Sequence, residues 1–152
     1  MIELDRFTER ARRALTLANI EARYLVTGHI ESAHLLFGMV QEAGELLEEL
    51  KLSALAPPRV RQRLKQELAA RLQPGPWEAE AIELSEEARA VLVRAQAAAQ
   101  QGGANAVDLV HLLLALAANA DSLPARLLRE AGLTPEHLRQ LVPHGGTTTL
   151  ER

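Results

Sequence analysis

Two histidines stand in matching places, His34 in "ESAHLLFGMV" (31–40) and His111 in "DLVHLLLALA" (108–117). Each follows an acidic residue, Glu31 or Asp108, by three positions, a spacing that sets carboxylate and imidazole on one helix face. Such a pair could ligate a metal or move protons. A metal site needs three or four converging ligands. The sequence has no cysteine, no HExxH and no His-x3-His. A catalytic residue also rarely appears twice at equivalent positions. Both histidines therefore read as packing residues that bond to backbone or a local partner near a helix start, and no metal is expected.

Other chemistry is equally bare. There is no GxSxG, and the serines fall at helix caps, so no activated nucleophile is in view. Without GxxxxGK[ST] or GxGxxG, no phosphate-cradling loop and no nucleotide cofactor is expected. No catalytic residue is assigned. The run "RVRQRLK" (59–65) carries Arg59, Arg61, Arg63 and Lys65. As a phosphate-contacting stripe it would bind nucleic acid. Its arginines alternate around the helix with few aromatics beside them, so a solvated face, open to an acidic partner surface, fits better. Tyr24 and Trp77 are the large amphipathic aromatics, and Trp77 beside "PGP" is either a partner anchor or a cover for the neighbouring helix.

The elements that hold these residues are helical. Apolar residues make up 47% of the 152 and aromatics 3%, so the core must be built from Leu, Ala, Val and Ile. A net charge of −3 gives no global field toward nucleic acid or anionic lipid. The N-terminus has no apolar signal region, and "LVHLLLALAANA" is too short to span a membrane. A cytoplasmic protein with no membrane and no nucleic-acid partner is expected.

Shifting the chain by 77 residues aligns 7–40 with 84–117 without a gap, with nine identities including Arg12/Arg89, Leu15/Leu92, Ala18/Ala95 and the His-Leu-Leu phrase. In each copy, apolar residues recur at three- and four-residue steps. Thr8 and Ser85 are N-cap candidates for the first helices, with stops near Gly28 and Gly102–Gly103. Ser32 and Asp108 are the cap candidates for the second helices. Short third helices are predicted over 45–51 and 124–132, a linking helix over 58–72, a turn at "QPGPW" and a final helix over 134–142. The fold expected is all-α, a pseudo-twofold duplicated bundle of two repeats of about four helices joined by a linker helix and loop. Its parts are repeat one (1–56), linker (57–81), repeat two (82–142) and a flexible tail (143–152).

These phrases resemble the double Clp N repeat, the N-terminal domain of Clp-type AAA+ unfoldases. "FTERARRALTLANIEA" (7–22) and "LSEEARAVLVRAQAAA" (84–99) resemble its opening helix. "IESAHLLFGMVQE" (30–42) and "VDLVHLLLALA" (107–117) resemble its Thr-Glu-His-Leu-Leu phrase, and 127–142 resembles its closing segment. The resemblance implies a non-catalytic protein-binding module that receives adaptor or substrate proteins and works with Clp ATPase or protease subunits. It is compatible with a stand-alone protein and with a domain of a longer ATPase. In some members the glutamate before the histidine pairs with phosphoarginine; here Ala33 and Val110 replace it and carry no carboxylate. The protein-binding residues this reading assigns lie at the helix starts: Phe7, Thr8, Glu9, Glu31, Ser32, Ala33, Ser85, Asp108 and Val110. A helical DNA-binding regulator is the alternative, since short helices joined by glycine turns mimic helix-turn-helix, and a His-based metal enzyme is a third.

Overall fold

The computed structural model describes residues 2–24, 29–44, 56–68 and 83–141. Among them, helix α1 spans Glu9–Tyr24, α2 Ser32–Glu42, α3 Pro57–Leu68, α4 Glu86–Gln101, α5 Leu109–Ala118, α6 Leu123–Glu130 and α7 Pro135–Leu141. A 3-10 turn at Leu4–Arg6 precedes α1. The fold is all-α. The third helix expected over 45–51, the stop near Gly28, the turn around Trp77, the side chain of Tyr24 and the tail lie outside the described residues.

The first helix of each repeat starts as its cap residue dictates. The Thr8 hydroxyl accepts from Ala11 N at 3.2 Å and the Ser85 hydroxyl from Ala88 N at 3.0 Å, each satisfying an otherwise orphaned donor. Helix α4 ends at Gly102, and Gly103 takes φ 74°, the left-handed conformation that favours glycine. Helix α6 opens one residue earlier than the sequence suggests, on a Ser122 cap with Pro124 in its first turn. Thr134 caps α7 through the His137 amide at 3.2 Å.

The apolar stripes face inward as the periodicity requires. Ala11, Ala14, Ala18 and Ala22 of α1 are buried against α2, and Ala88, Val91, Ala95 and Ala99 of α4 against α5. At the α1–α2 crossing the backbones approach so closely that a Cβ on Gly38 would run into the Ala14 carbonyl oxygen. The equivalent place in repeat two holds Ala115, and residues 91 and 95 correspond to Ala14 and Ala18 under the 77-residue shift. The α2 stretch 32–40 is entirely buried, and α2 and α5 pack on each other, so the two second helices form the centre of the molecule.

Helix α3 packs on α2 as α7 packs on α5. The segment read as a linker helix therefore occupies the fourth-helix place of repeat one, from its own Pro57-Pro58 start. Arg59 and Lys65 are exposed, as a solvated face requires, while Arg61 and Arg63 are half-buried and paired. Arg61 clamps Glu21, which is 1% exposed, through Nε and Nη2 at 2.8 Å each, and its guanidinium lies 4.8 Å from the Phe37 ring centroid. Arg63 reaches Glu130 at 2.8 Å and Arg126 reaches Glu67 at 3.3 Å, so α3 is tied across to α6 of the other repeat.

Candidate functional site

The repeats are joined by two short backbone bridges that cross over. Phe7 pairs with Val107, and Ile30 pairs with Leu84. Phe7 is equivalent to Leu84 and Ile30 to Val107 under the 77-residue shift, so each repeat offers its first-helix entry to the second-helix entry of the other. The hydrogen bonds repeat with the same symmetry. Thr8 N donates to Val107 O and Val107 N to Arg6 O, both at 2.8 Å; Ser85 N donates to Ile30 O at 3.0 Å and Ile30 N to Glu83 O at 2.9 Å. These two junctions bring helix starts side by side, 8–10 with 108–109 and 85–87 with 31–32.

Each second helix begins with a reciprocal capping box. The caps are Glu31 and Asp108, and His34 and His111 stand three residues on. Each carboxylate accepts from the backbone N–H of its histidine, while the imidazole Nδ1 accepts from the backbone N–H of its acid, at 2.8 Å for His34 and 2.9 Å for His111. This geometry requires a neutral ring with its proton on Nε2. The acid and imidazole spaced three apart thus form a helix start. Ser32 is not the cap; it is the first residue of α2, and Glu31 stands at the cap position as Asp108 does in repeat two. The His111 Nε2 is buried with no hydrogen-bond partner among the described residues. Burial pushes the His111 pKa down, with the Asp108 charge opposing. Among the described residues no group of three or more His, Cys, Asp or Glu comes together to hold a metal ion.

The expected binding residues divide by burial. Phe7 and Ala33 are buried in the core, so they position the junctions rather than line them. Glu9 is exposed and pairs with Arg13 at 3.5 Å. Val110 is half-buried at the start of α5. Thr8 and Asp108 meet, the hydroxyl donating to the carboxylate at 2.9 Å. Ser32 donates to Glu87 at 2.8 Å across the other junction, where the Ser85 N–H donates to the carbonyl of Ile30, the residue before Glu31.

Sequence reasoning missed Arg10 and Glu87. Arg10 forks onto Asp108, Nε to Oδ1 and Nη2 to Oδ2, both at 2.8 Å. Burial pushes the Asp108 carboxyl up, but the Arg10 fork, the Leu109 amide and the Thr8 hydroxyl outweigh it and hold the pKa at about 2. The signal was present, because residues 10 and 87 are equivalent under the shift and carry opposite charge.

Comparison with known proteins agrees with this architecture. The family model described as the Clp repeat (R) N-terminal domain matches residues 83–151. The chain is 31% identical over 137 residues to the negative regulator of genetic competence ClpC/MecB of Bacillus subtilis (strain 168), covering 90% of this chain and 16% of that protein. It is 29% identical over 138 residues to the chaperone protein ClpB of Oceanobacillus iheyensis, covering 90% of this chain and 17% of that protein. The chain thus spans about a sixth of the length of these relatives. In fold it is similar to the N-terminal domain of the caseinolytic protease associated chaperone ClpD from Arabidopsis thaliana, with TM-score 0.73, 22% identity, and 90% and 92% of the two chains covered. The Hsp104 N-terminal domain from Candida albicans matches with TM-score 0.65 and 21% identity over 88% of this chain and 87% of that one. With its duplicated helices, crossed junctions and these matches, the chain belongs to the Clp repeat N-terminal domain family.

Proposed function

We propose that the protein is a non-catalytic binding module of the Clp system, receiving adaptor or substrate proteins at the paired helix starts. The observation that carries this reading is the pair of crossed junctions, which set two helix N-termini next to each other on each side of the pseudo-twofold axis. On one side this brings together Thr8, Glu9, Asp108 and Val110; on the other, half-buried Ser85 lies beside Glu31 and Ser32, both buried in the free chain, so the first side is the more accessible. Helix starts present partial positive charge and orientable donors, and a duplicated surface can engage two segments of one partner with a gain in avidity. No reacting group is needed for this role, and a cytoplasmic setting alongside Clp ATPase or protease subunits belongs to it.

Capture of interacting proteins from native lysate with the purified chain tests the reading. Recovery of Clp subunits, adaptors or substrate proteins is expected, with loss of recovery when Thr8 and Ser85 are replaced by bulky Arg. Recovery of none of these classes contradicts it.

A further inference from the structure

Helix α3 carries Arg59, Arg61, Arg63 and Lys65, and the paired helix starts use none of them. Between α3 and α6 lies a groove of about 560 Å³. Its floor is apolar, with Val60 1% and Leu127 5% exposed. Arg59, Gln62, Arg63 and Gln66 of α3 line it from one side, and Glu130 lines it from the end of α6.

Positive charge dominates here. Arg63 donates to Glu130 at 2.8 Å and lies 3.9 Å from Glu67, while Arg126 reaches Glu67 at 3.3 Å. The Arg63 bond holds the Glu130 carboxyl below its ordinary pKa, and the charges of Arg126 and Arg129 add to the effect. Among the described residues, the guanidiniums of Arg59, Arg63, Arg126 and Arg129 thus stand against the carboxylates of Glu67 and Glu130, an excess of positive charge on a chain whose net charge is −3. A guanidinium has five N–H donors, so Arg63 can hold Glu130 and still bond a further carboxylate. Gln62 also lines a second groove with Arg61 and Lys65, and the cationic surface continues across α3.

The lining selects among anions. An acidic polypeptide brings carboxylates for the guanidiniums, apolar neighbours for Val60 and Leu127, and main-chain groups for the Gln62 and Gln66 amides. A nucleic-acid strand is held by bases stacked on aromatic rings, and no aromatic residue is among the described residues lining this groove. The net negative charge also opposes a long polyanion.

We propose that the α3–α6 groove is a second docking surface, one that takes an acidic stretch of a partner protein with Asp or Glu side chains at Arg59 and Arg63. It is separate from the paired helix starts, so either surface can fail without the other.

Titration of the isotopically labelled chain with an octaglutamate peptide at low ionic strength, followed by amide chemical shifts, tests the proposal. The largest shifts are expected within 59–66 and 127–130. Shifts centred anywhere else, the helix starts included, or no binding at all, overturn it. Arg59→Glu reverses the charge at an exposed position of the groove and is expected to weaken peptide binding about tenfold. Arg89→Glu makes the same change at an exposed position of α4 and should alter binding by less than about twofold. A loss from Arg59→Glu no greater than that from Arg89→Glu means diffuse attraction and overturns the groove. Should Arg59→Glu not fold, Arg59→Gln removes the charge alone and is expected to cost about threefold. An octathymidylate strand is expected to bind at least about fivefold more weakly than the peptide, and equal or tighter binding overturns the choice of a protein partner.

Discussion

The backbone N–H of Asp108 donates to the Nδ1 atom of His111 at 2.9 Å, and the backbone N–H of Glu31 donates to His34 in the same way at 2.8 Å. A histidine in the third position of a capping box does the work usually given to Glu or Gln. Both copies use it because the position is fully buried: His34 is 0% and His111 2% exposed. A neutral ring can fill that space and still accept a hydrogen bond.

Replacing His111 with Leu keeps the volume and removes the acceptor. The Asp108 amide is then left unpaired in a half-buried site, and a loss of about 1–3 kcal/mol is expected. His111→Gln restores an acceptor of the usual capping-box type and should lose less. Urea denaturation of the two variants at neutral pH checks the order; equal losses would mean that volume alone matters.

Stability should fall in two stages on acidification. The folded His111 has its pKa below the ordinary 6.5 through burial, so the unfolded chain takes up that proton first. Its contribution is full above about pH 6.5 and is lost as pH falls below that value. Asp108 is held at about 2 against its usual 3.8, so its contribution is full above pH 3.8 and is lost between there and about 2. Urea midpoints measured from pH 8 downward should be flat, then decline in those windows. Asp108→Asn should reduce the lower decline, and His111→Gln the upper one.

Gly38→Ala should cost about 2 kcal/mol or more, because the added methyl meets the α1 backbone at Ala14 and α2 must move away. Ala115→Gly, at the equivalent position of repeat two, should cost only about 1 kcal/mol through helix propensity. Thermal unfolding of both variants separates the two cases. Equal costs would show that the repeats cross at the same distance.

Arg61→Ala strands the Glu21 carboxylate, which is 1% exposed, and an expected loss of about 2–4 kcal/mol follows. Arg61→Lys should recover little, since an ammonium offers neither the fork nor a planar face to Phe37. Full recovery by lysine would show that charge alone is needed. Denaturant midpoints of the three proteins decide this.

The helices, the duplication and most caps were legible in the sequence because periodicity and cap chemistry are local. Thr8, Ser85, Thr134 and the Gly102–Gly103 stop all act within a few residues of themselves. The roles of Arg10, Glu21 and Arg61 were not legible, since each depends on a partner 40 or more residues away. The same holds for the place of α3. Its amphipathic stripe was visible, but only packing on α2 shows it as the closing helix of repeat one. Ser32 was read as a cap because hydroxyls usually take that position. Glu31 stands there instead, in the reciprocal box with His34, and the Ser32 hydroxyl donates to Glu87, 55 residues away.

The central claim is that partners dock at the paired helix starts. A photo-crosslinking side chain placed at Glu9 or Val110, activated in native lysate, addresses it most directly. Ile20 is exposed on α1, roughly 16 Å along the helix from Glu9 at 1.5 Å per residue, and serves as the comparison site. Covalent adducts with Clp subunits, adaptors or substrate proteins are predicted from Glu9 and Val110 and not from Ile20. No adducts at the helix starts, or the same adducts from Ile20, would contradict the account.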